Sequence, residues 1–432
     1  MDTIERAIIA AVDENRSALI AFAKDVGAHG EAGFFEDRTA KKAAEFLAGL
    51  GLTVKTGLAK TGLKAVLNEA KPRVAIIAEL DGILCPKHPF ANPENGISHA
   101  CGHNLQLCAM LGAAAALSMP EVSAALDGSV EFLAVPAEEY VASRIRKTLK
   151  ETDDIQFCSG KSELLRRGEF DDADIALTDH VHMIPCDEYL LAGNVACNGF
   201  VCKTVRIHGK AAHAATAPFD GINALNAAAL AISAIGMLRE TFREEDTIRV
   251  HTNLIDGGKA LNVVPDLAVV ELQIRANNIA ALDKVCADID RVFNVCASAL
   301  GATAEIITEQ GYMPVRPMAA SEATLKAAET LGIKSVKCQS PEMRNMASTD
   351  VGDLTQVLPV INYTHGGVCG SLHSADFAVT DEEMAYIMPA KLFALSAYYL
   401  LKDGAQLAKK TMADFEPAMT TQQYVDKVKE QM

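Results

Sequence analysis

The residues in this chain best suited to chemistry are two histidines and a cysteine packed into five positions, His99, Cys101 and His103, in the run SHACGHNLQL. They stand directly before an alanine-rich apolar stretch ending at Leu117. A Cys-x-His pair at a strand-to-helix junction can place a thiolate and an imidazole on one ion, and sulfur and nitrogen donors together suit zinc or a similar borderline metal. The same residues also read as a turn cysteine and a histidine capping a helix. Glu138 and Glu139 close the apolar run SVEFLAVPAEE. Two carboxylates near one site repel each other unless a cation offsets the repulsion. Alternation along an extended strand lets one hold the cation while the other, pointing away, handles protons. Without a metal they are two solvated loop glutamates. His180 and His182 lie two residues apart at a strand end and share a face, and either could be a ligand. His373 sits in the glycine-rich loop GGVCGSLHSADF, a kind of segment that delivers a distant side chain to a site. Five such ligands fit two ions with a shared water better than one tetrahedral structural zinc. Ions about 3.5–4 Å apart could clamp a hydroxide and polarise a carbonyl.

Position for these groups must come from the elements around them. RVAIIAELDGI, SVEFLAVPAEE and ADIALTDHVH are continuous apolar runs that end in acids or histidines. Buried parallel strands read this way, and in open α/β sheets functional residues collect at the strands' carboxyl ends. The first 70 residues read as helices plus one short extended segment. In the middle of the chain FVCKTVRIH, TIRVHTNLI, LAVVELQIRA and TAEIITEQ read as strands, with helices over residues 220–239 and in NNIAALDKVCADIDRVFNVCASALG. The order β-α-β-β-α-β is the ferredoxin-like pattern. The expected architecture is therefore an α/β catalytic domain with a mostly parallel central sheet, residues 1–197 and 311–432, and an inserted ferredoxin-like α+β domain, residues 198–310.

Forty basic against 56 acidic residues leave a net charge of −16. Such a surface repels phosphate backbones, which argues against a nucleic-acid partner. Eleven scattered cysteines fit reduced thiols in a cytoplasmic protein. The N-terminal stretch lacks a basic segment before its apolar residues. GINALNAAALAISAIGML is nearly long enough to span a bilayer, but two asparagines interrupt it and charges flank it. We read it as a helix buried against a sheet or a second subunit, with no membrane partner.

The order of ELDGIL, HACGHN, VPAEE, DHVH, GKAAHAATAPFDGINAL, GGKALNVVPD, IRA, STDVGDL and SLHSADF resembles zinc metallopeptidase family twenty, which includes aminoacylases, amidohydrolases, carboxypeptidases and indole-acetyl-amino-acid hydrolases. The resemblance runs from about residue 79 to 377. It implies metal ligands at Cys101, His103, Glu139, His180 and His373, and two divalent ions, zinc foremost with manganese, cobalt or nickel as alternatives. It implies Glu138 as the general base acting on a metal-activated water, and Asp81 as the carboxylate that orients a ligand. The spacing from Asp174 puts His180, rather than His182, on the ligand position. His213 resembles a histidine that reaches the partner subunit's active site and holds an oxyanion. Asn262 and Arg275 resemble substrate-binding residues, Arg275 as the clamp on a carboxylate, although a strand arginine can equally pair with a nearby acid such as Glu271. The implied assembly is a homodimer through the inserted domain. The sequence departs from the family at Asn104 and Gln106, where relatives have Asp and His. It departs again at Glu79, where they have Asp, and in the segment after PAEE, which is expected to reshape the pocket rim.

The expected function is a dimetal amidohydrolase or aminoacylase that cleaves the amide of N-acyl amino acids or small peptide-like compounds. A dipeptidase or carboxypeptidase of the same fold is the alternative, as is a non-catalytic small-molecule-binding protein that keeps the metal site. A thiol hydrolase using Cys101 with His103 as base leaves the glutamate pair without a role.

Overall fold

The computed structural model describes residues 1–139, 141, 143–182 and 189–430. It divides into a larger unit, Met1–Val195, Arg316–Arg344 and Asp353–Tyr424, and a smaller one, Ala196–Val315, Asn345–Gly352 and Val425–Met432.

In the larger unit α1 (Thr3–Gly27) begins at a capping box. Asp2 accepts from the Glu5 backbone N–H while the Glu5 carboxylate accepts from the Asp2 backbone N–H. Two strands follow, β1 (Val54–Leu58) and β2 (Gly62–Leu67), paired antiparallel. The sequence suggested one extended segment here. The turn between the strands uses Ala59 and Lys60 at φ 45° and 81°, residues that carry no turn signal of their own. Next come β3 (Arg73–Glu79), α2 (His103–Leu117), β4 (Ser129–Val135), α3 (Gly160–Arg166), β5 (Ile175–Val181) and β6 (Leu190–Ala192). Every residue of β3, β4 and α2 is buried. That is why α2 is apolar on all sides rather than amphipathic.

The smaller unit runs β7 (Gly199–His208), α4 (Ala224–Leu238), β8 (Arg249–Asp256), β9 (Leu267–Ala276), α5 (Ile279–Ala299) and β10 (Thr303–Gln310). Its strands form one antiparallel sheet in the order β8-β9-β7-β10. The β-α-β-β-α-β pattern read from the sequence is the one observed. Helix α4 buries Ala224, Ala227, Ala228, Ala231 and Ile235, a stripe at three- and four-residue spacing, against this sheet. Leu230 and Met237 on the same helix are exposed.

The chain returns to the larger unit with β11 (Val336–Cys338), β12 (Val360–His365) and α6 (Met388–Leu401). The large sheet has the order β1-β2-β4-β3-β5-β12-β6-β11. Its central strands β4, β3, β5 and β12 are mutually parallel, and the antiparallel pairings lie toward its edges. Helix α2 packs against both α1 and α6. Because the four central strands share one direction, their carboxyl ends open on one edge of the sheet, where the segments carrying Glu79, Glu138 and His180 end. Among the described residues one helical stretch, Glu383–Leu401, is long and apolar enough to cross a bilayer, and it lies buried in the core. No disulfide joins the described cysteines.

Candidate metal centre

The junction before α2 is built around Gly102, whose φ of 87° favours glycine. A Cβ there would meet the Val181 side chain at 2.9 Å. The tight turn sets Cys101 beside β5 and makes His103 the first residue of α2. His103 Nδ1 lies 2.8 Å from the Asp81 carbonyl oxygen and 3.2 Å from Asp81 Oδ1. The Nδ1 proton is thus directed at Asp81, which leaves Nε2 with its lone pair for an ion. Asp81 also ties down the strand end opposite, since its Oδ2 accepts from the Glu139 backbone N–H at 2.9 Å. His180 Nδ1 is 2.8 Å from the Val181 carbonyl, so its Nε2 too is left as a donor atom, 3.4 Å from Cys101 Sγ. His373 Nε2 comes within 3.4 Å of Cys101 Sγ and 3.0 Å of Glu139 Oε1. Glu138 stands further off, with Oε2 3.9 Å from His103 Nε2. Two of these segments hold left-handed non-glycine backbone, Ala137 at φ 48° and His373 at φ 61°. Such strain collects where the surroundings fix a functional geometry.

The donor atoms of Cys101, His103 and His180, of Cys101, Glu139 and His373, and of His103, Glu138 and Glu139 lie within 4.8 Å of one another in each group. His182 is turned toward the Tyr189 carbonyl instead, at 3.3 Å. His99 is buried and neither ring nitrogen is hydrogen-bonded; burial pushes it down to about 3, so it stays neutral.

The electrostatics ask for a cation. Burial pushes the Cys101 thiol up. Burial also opposes charge on His103, yet Glu79, Cys101 and Asp81 outweigh it and hold the imidazole well above its usual range. Burial would raise Glu139, but His373 and His103 hold it down. Several deeply buried atoms make no hydrogen bond: Glu79 Oε2, Asp81 Oδ1, His103 Nε2 and Glu139 Oε1. Unpaired buried polar atoms are costly. One thiol, three imidazoles and clustered carboxylates around such atoms fit divalent ions.

The smaller unit carries the other three sequence candidates, and they are not together. His213 and Asn262 are neighbours. His213 bridges to Val263, and the Ala214 N–H donates to the Asn262 carbonyl at 3.0 Å. His213 Nδ1 accepts from the backbone N–H groups of Ala215 and Thr216, so its proton sits on Nε2, on an exposed ring. Arg275 lies at the far end of β9. Its guanidinium donates to Gln273 Oε1 and Ser348 Oγ and sits over the Phe200 ring at 5.5 Å. It does not pair with Glu271. Directly opposite across the strands is Arg249, and among the described residues neither arginine has a carboxylate within 4.0 Å.

A family model for a peptidase dimerisation domain matches residues 196–297, most of the smaller unit. Human Xaa-Arg dipeptidase is 29% identical over 351 residues, spanning 77% of this chain and 73% of that protein. One subunit of the p-aminobenzoyl-glutamate hydrolase of Escherichia coli is 30% identical over 310 residues, 69% of this chain and 58% of that protein. A Bacillus subtilis crystal structure described as a dinuclear metal binding peptidase of family M20 superposes with a TM-score of 0.69 at 23% identity, covering 90% of this chain and 99% of that one. The last likeness is one of fold. The smaller unit matches a peptidase dimerisation domain, and the chain as a whole resembles metallopeptidase family twenty.

Against the family pattern, three residues gain a place that sequence reasoning did not give them. Gln106, noted only as a replaced histidine, accepts from the Glu79 backbone N–H at 2.6 Å and donates to the Asp179 carbonyl at 2.6 Å, tying β3 to β5 through α2. Glu79, noted only as a replaced aspartate, points Oε2 at His103 Nε2 from 3.1 Å. Lys161 comes from the segment expected at the pocket rim, yet it is wholly buried with Nζ on Glu79 Oε1 at 2.5 Å. The available signal was a serine before a glycine and a short apolar helix in CSGKSELL; Ser159 does cap α3.

Proposed function

We propose that this chain is a dimetal amidohydrolase of the aminoacylase type, cleaving the amide of an N-acyl amino acid or a small peptide-like compound. The observation that carries the reading is the convergence of Cys101, His103, Glu138, Glu139, His180 and His373 at one edge of the larger unit's sheet. Both relatives named above are hydrolases by name, one of a dipeptide and one of an acyl-glutamate amide. When bound, divalent ions, zinc foremost because of the thiolate, supply Lewis acidity for the scissile carbonyl and lower the pKa of water.

The residues of the chain supply the rest. Cys101, His103, Glu139, His180 and His373 hold the ions, with Asp81 fixing the His103 ring. Glu138, its Oε2 3.9 Å from His103 Nε2, takes the proton from the attacking water and passes it to the leaving amine nitrogen. Arg275, without an acid of its own, binds a substrate carboxylate. Its neighbour Arg249, likewise without a carboxylate partner among the described residues, favours this role over a purely structural one, since like charges directly opposite on a sheet repel. His213 offers the Nε2 proton to a developing oxyanion, and Asn262 beside it binds substrate. We assign the working form to a homodimer through the smaller unit, in the cytoplasm.

The test is a screen of N-acetyl amino acids and dipeptides with protein stripped by chelator and then restored with zinc, manganese or cobalt. Activity lost on stripping and regained on restoration supports the reading. Turnover indifferent to chelator and abolished by thiol alkylation would point to Cys101 as a nucleophile, and no turnover with ions bound would leave only a binding protein.

A further inference from the structure

The five-ligand set leaves unexplained a buried carboxylate oxygen that faces His103, Oε2 of Glu79. Glu79 sits at the end of β3 with its exposure reduced to 2%. Its backbone N–H is held by Gln106 and its Oε1 by the Lys161 ammonium. Its Oε2 makes no hydrogen bond. That oxygen lies 3.1 Å from His103 Nε2, which also makes none. A Glu138 carboxylate oxygen lies within 4.8 Å of a Glu79 oxygen. The two orphaned atoms, an oxygen and a ring nitrogen, are close yet not aligned as donor and acceptor. Donors arranged around a common third body take this disposition.

Resting on the metal-site reading above, we propose that Glu79 Oε2 is a sixth ligand, binding one oxygen to the ion held by His103, and that Lys161 is a positioning residue. The ammonium occupies Oε1, so Glu79 presents a single oxygen to the centre and does not chelate with both. Lys161 can stand there because α3 starts hard against the end of β4. The Gly160 N–H donates to the Ala137 carbonyl, and a Cβ on Gly160 would fall 1.7 Å from the Pro136 carbonyl oxygen. The extra methylene of glutamate over aspartate is what lets one side chain span from the lysine to the imidazole. An aspartate at position 79 would reach one partner and release the other. The site then gains a third anionic ligand beside Cys101 and Glu139, and it leans toward harder, oxygen-preferring ions more than the five-ligand set alone.

The experiment measures metal affinity directly. Wild type, Glu79→Gln, Glu79→Asp and Lys161→Met are loaded with cobalt. Ion content per chain, affinity by chelator competition and the visible cobalt spectrum are then recorded. The expected result is a loss of at least tenfold in the affinity of one of the two ions in Glu79→Gln. A stronger visible band should accompany it as the coordination number falls, with Glu79→Asp and Lys161→Met weakened less. Since Glu79→Gln removes a carboxylate that faces a buried ammonium, the double variant Glu79→Gln/Lys161→Met, which changes both side chains, is measured beside it for fold by circular dichroism and for the same cobalt properties. Wild-type affinity and spectrum in either Gln-bearing variant overturn the proposal. The outcome is independent of the amide assay. Wild-type protein that binds two ions and hydrolyses nothing defeats the functional reading and leaves this one standing. Hydrolysis with an unaltered cobalt centre in Glu79→Gln does the reverse.

Discussion

The adjacent glutamates give the sharpest test of the proposed roles, because the two side chains stand differently toward the histidines around them. Glu139 Oε1 lies 3.0 Å from His373 Nε2, and its backbone N–H is tied to Asp81, so its carboxylate is fixed among the proposed ligands. Glu138 Oε2 lies 3.9 Å from His103 Nε2, beyond direct hydrogen-bond distance of that imidazole. Replacing Glu138 with Gln keeps shape and removes basicity. A positioned general base contributes about 10²–10⁴ in rate, so kcat should fall by that factor, roughly 3–5 kcal/mol in the barrier, with two ions retained. Replacing Glu139 with Gln removes a charged ligand. Residues one shell out from a metal already govern about 10–100-fold in affinity, and a direct ligand should cost at least as much, so one ion should be lost. Both variants are assayed for initial rate on an N-acetyl amino acid and for metal content after gel filtration in metal-free buffer. The reverse pattern, an ion lost from Glu138→Gln and both kept by Glu139→Gln, would refute the assignment.

Arg275→Gln should raise KM about 10–100-fold for substrates with a free carboxylate, the worth of a lost charged hydrogen bond, and leave their carboxamide analogues unchanged; equal effects on both would remove Arg275 from the carboxylate. His213→Ala should lower kcat about 10²–10³-fold. If the ring serves the partner's site, mixing His213→Ala with Glu138→Gln protein should restore up to roughly a quarter of wild-type turnover, half the dimers being mixed with one intact site each; an inactive mixture places His213 in its own protomer's site. Burial, with Asp81 beside it, pushes the Glu36 carboxyl up to about 8 from its ordinary 4.5. In ion-free protein its contribution to stability should therefore be complete below pH 4.5 and be lost as pH rises through about 8, at no more than ~1.4 kcal/mol per pH unit. Urea unfolding at pH 5 and pH 8 reads this slope, which Glu36→Gln should flatten.

Much of this was legible from the chain because parallel strands buried on both faces read as unbroken apolar runs. RVAIIAE and SVEFLAV became β3 and β4, buried along their whole length. Their direction then put the acids that follow them on one edge. The smaller unit was equally open to reading, since its antiparallel strands pack helices on one face and its helices bury residues at three- and four-residue spacing. What stayed hidden depends on approach between distant segments. Lys161 is a lysine after a glycine in sequence, and only the seating of α3 on Pro136 turns it inward onto Glu79. The hydrogen bond from Arg275 to Ser348 crosses 73 positions of sequence, so the choice between a pairing with Glu271 and a free clamp could not be made locally. The β1–β2 turn escaped because alanine and lysine occupy its left-handed positions.

The geometry inside the smaller unit also bears on how many chains make one site. Beyond the end of β7, the stretch Gly209–Ala214 continues the antiparallel pairing with Asn262–Asp266. His213 and Asn262 therefore lie past the Leu267 end of β9, while Arg275 lies near its other end. About eight strand residues at ~3.3 Å each put roughly 25 Å or more between them. A small amide has its scissile carbonyl and its carboxylate only a few bonds apart, so one copy of this unit cannot bring an oxyanion donor and a carboxylate clamp to the same molecule. On the functional reading proposed above, Arg275 and His213 must then work on different substrates. A complete site takes its clamp from one protomer and its oxyanion donor from the other. Turnover should consequently fall more steeply than in proportion on dilution below the dimer's dissociation constant. Ion content should not, because the proposed metal ligands all lie in the larger unit of a single chain.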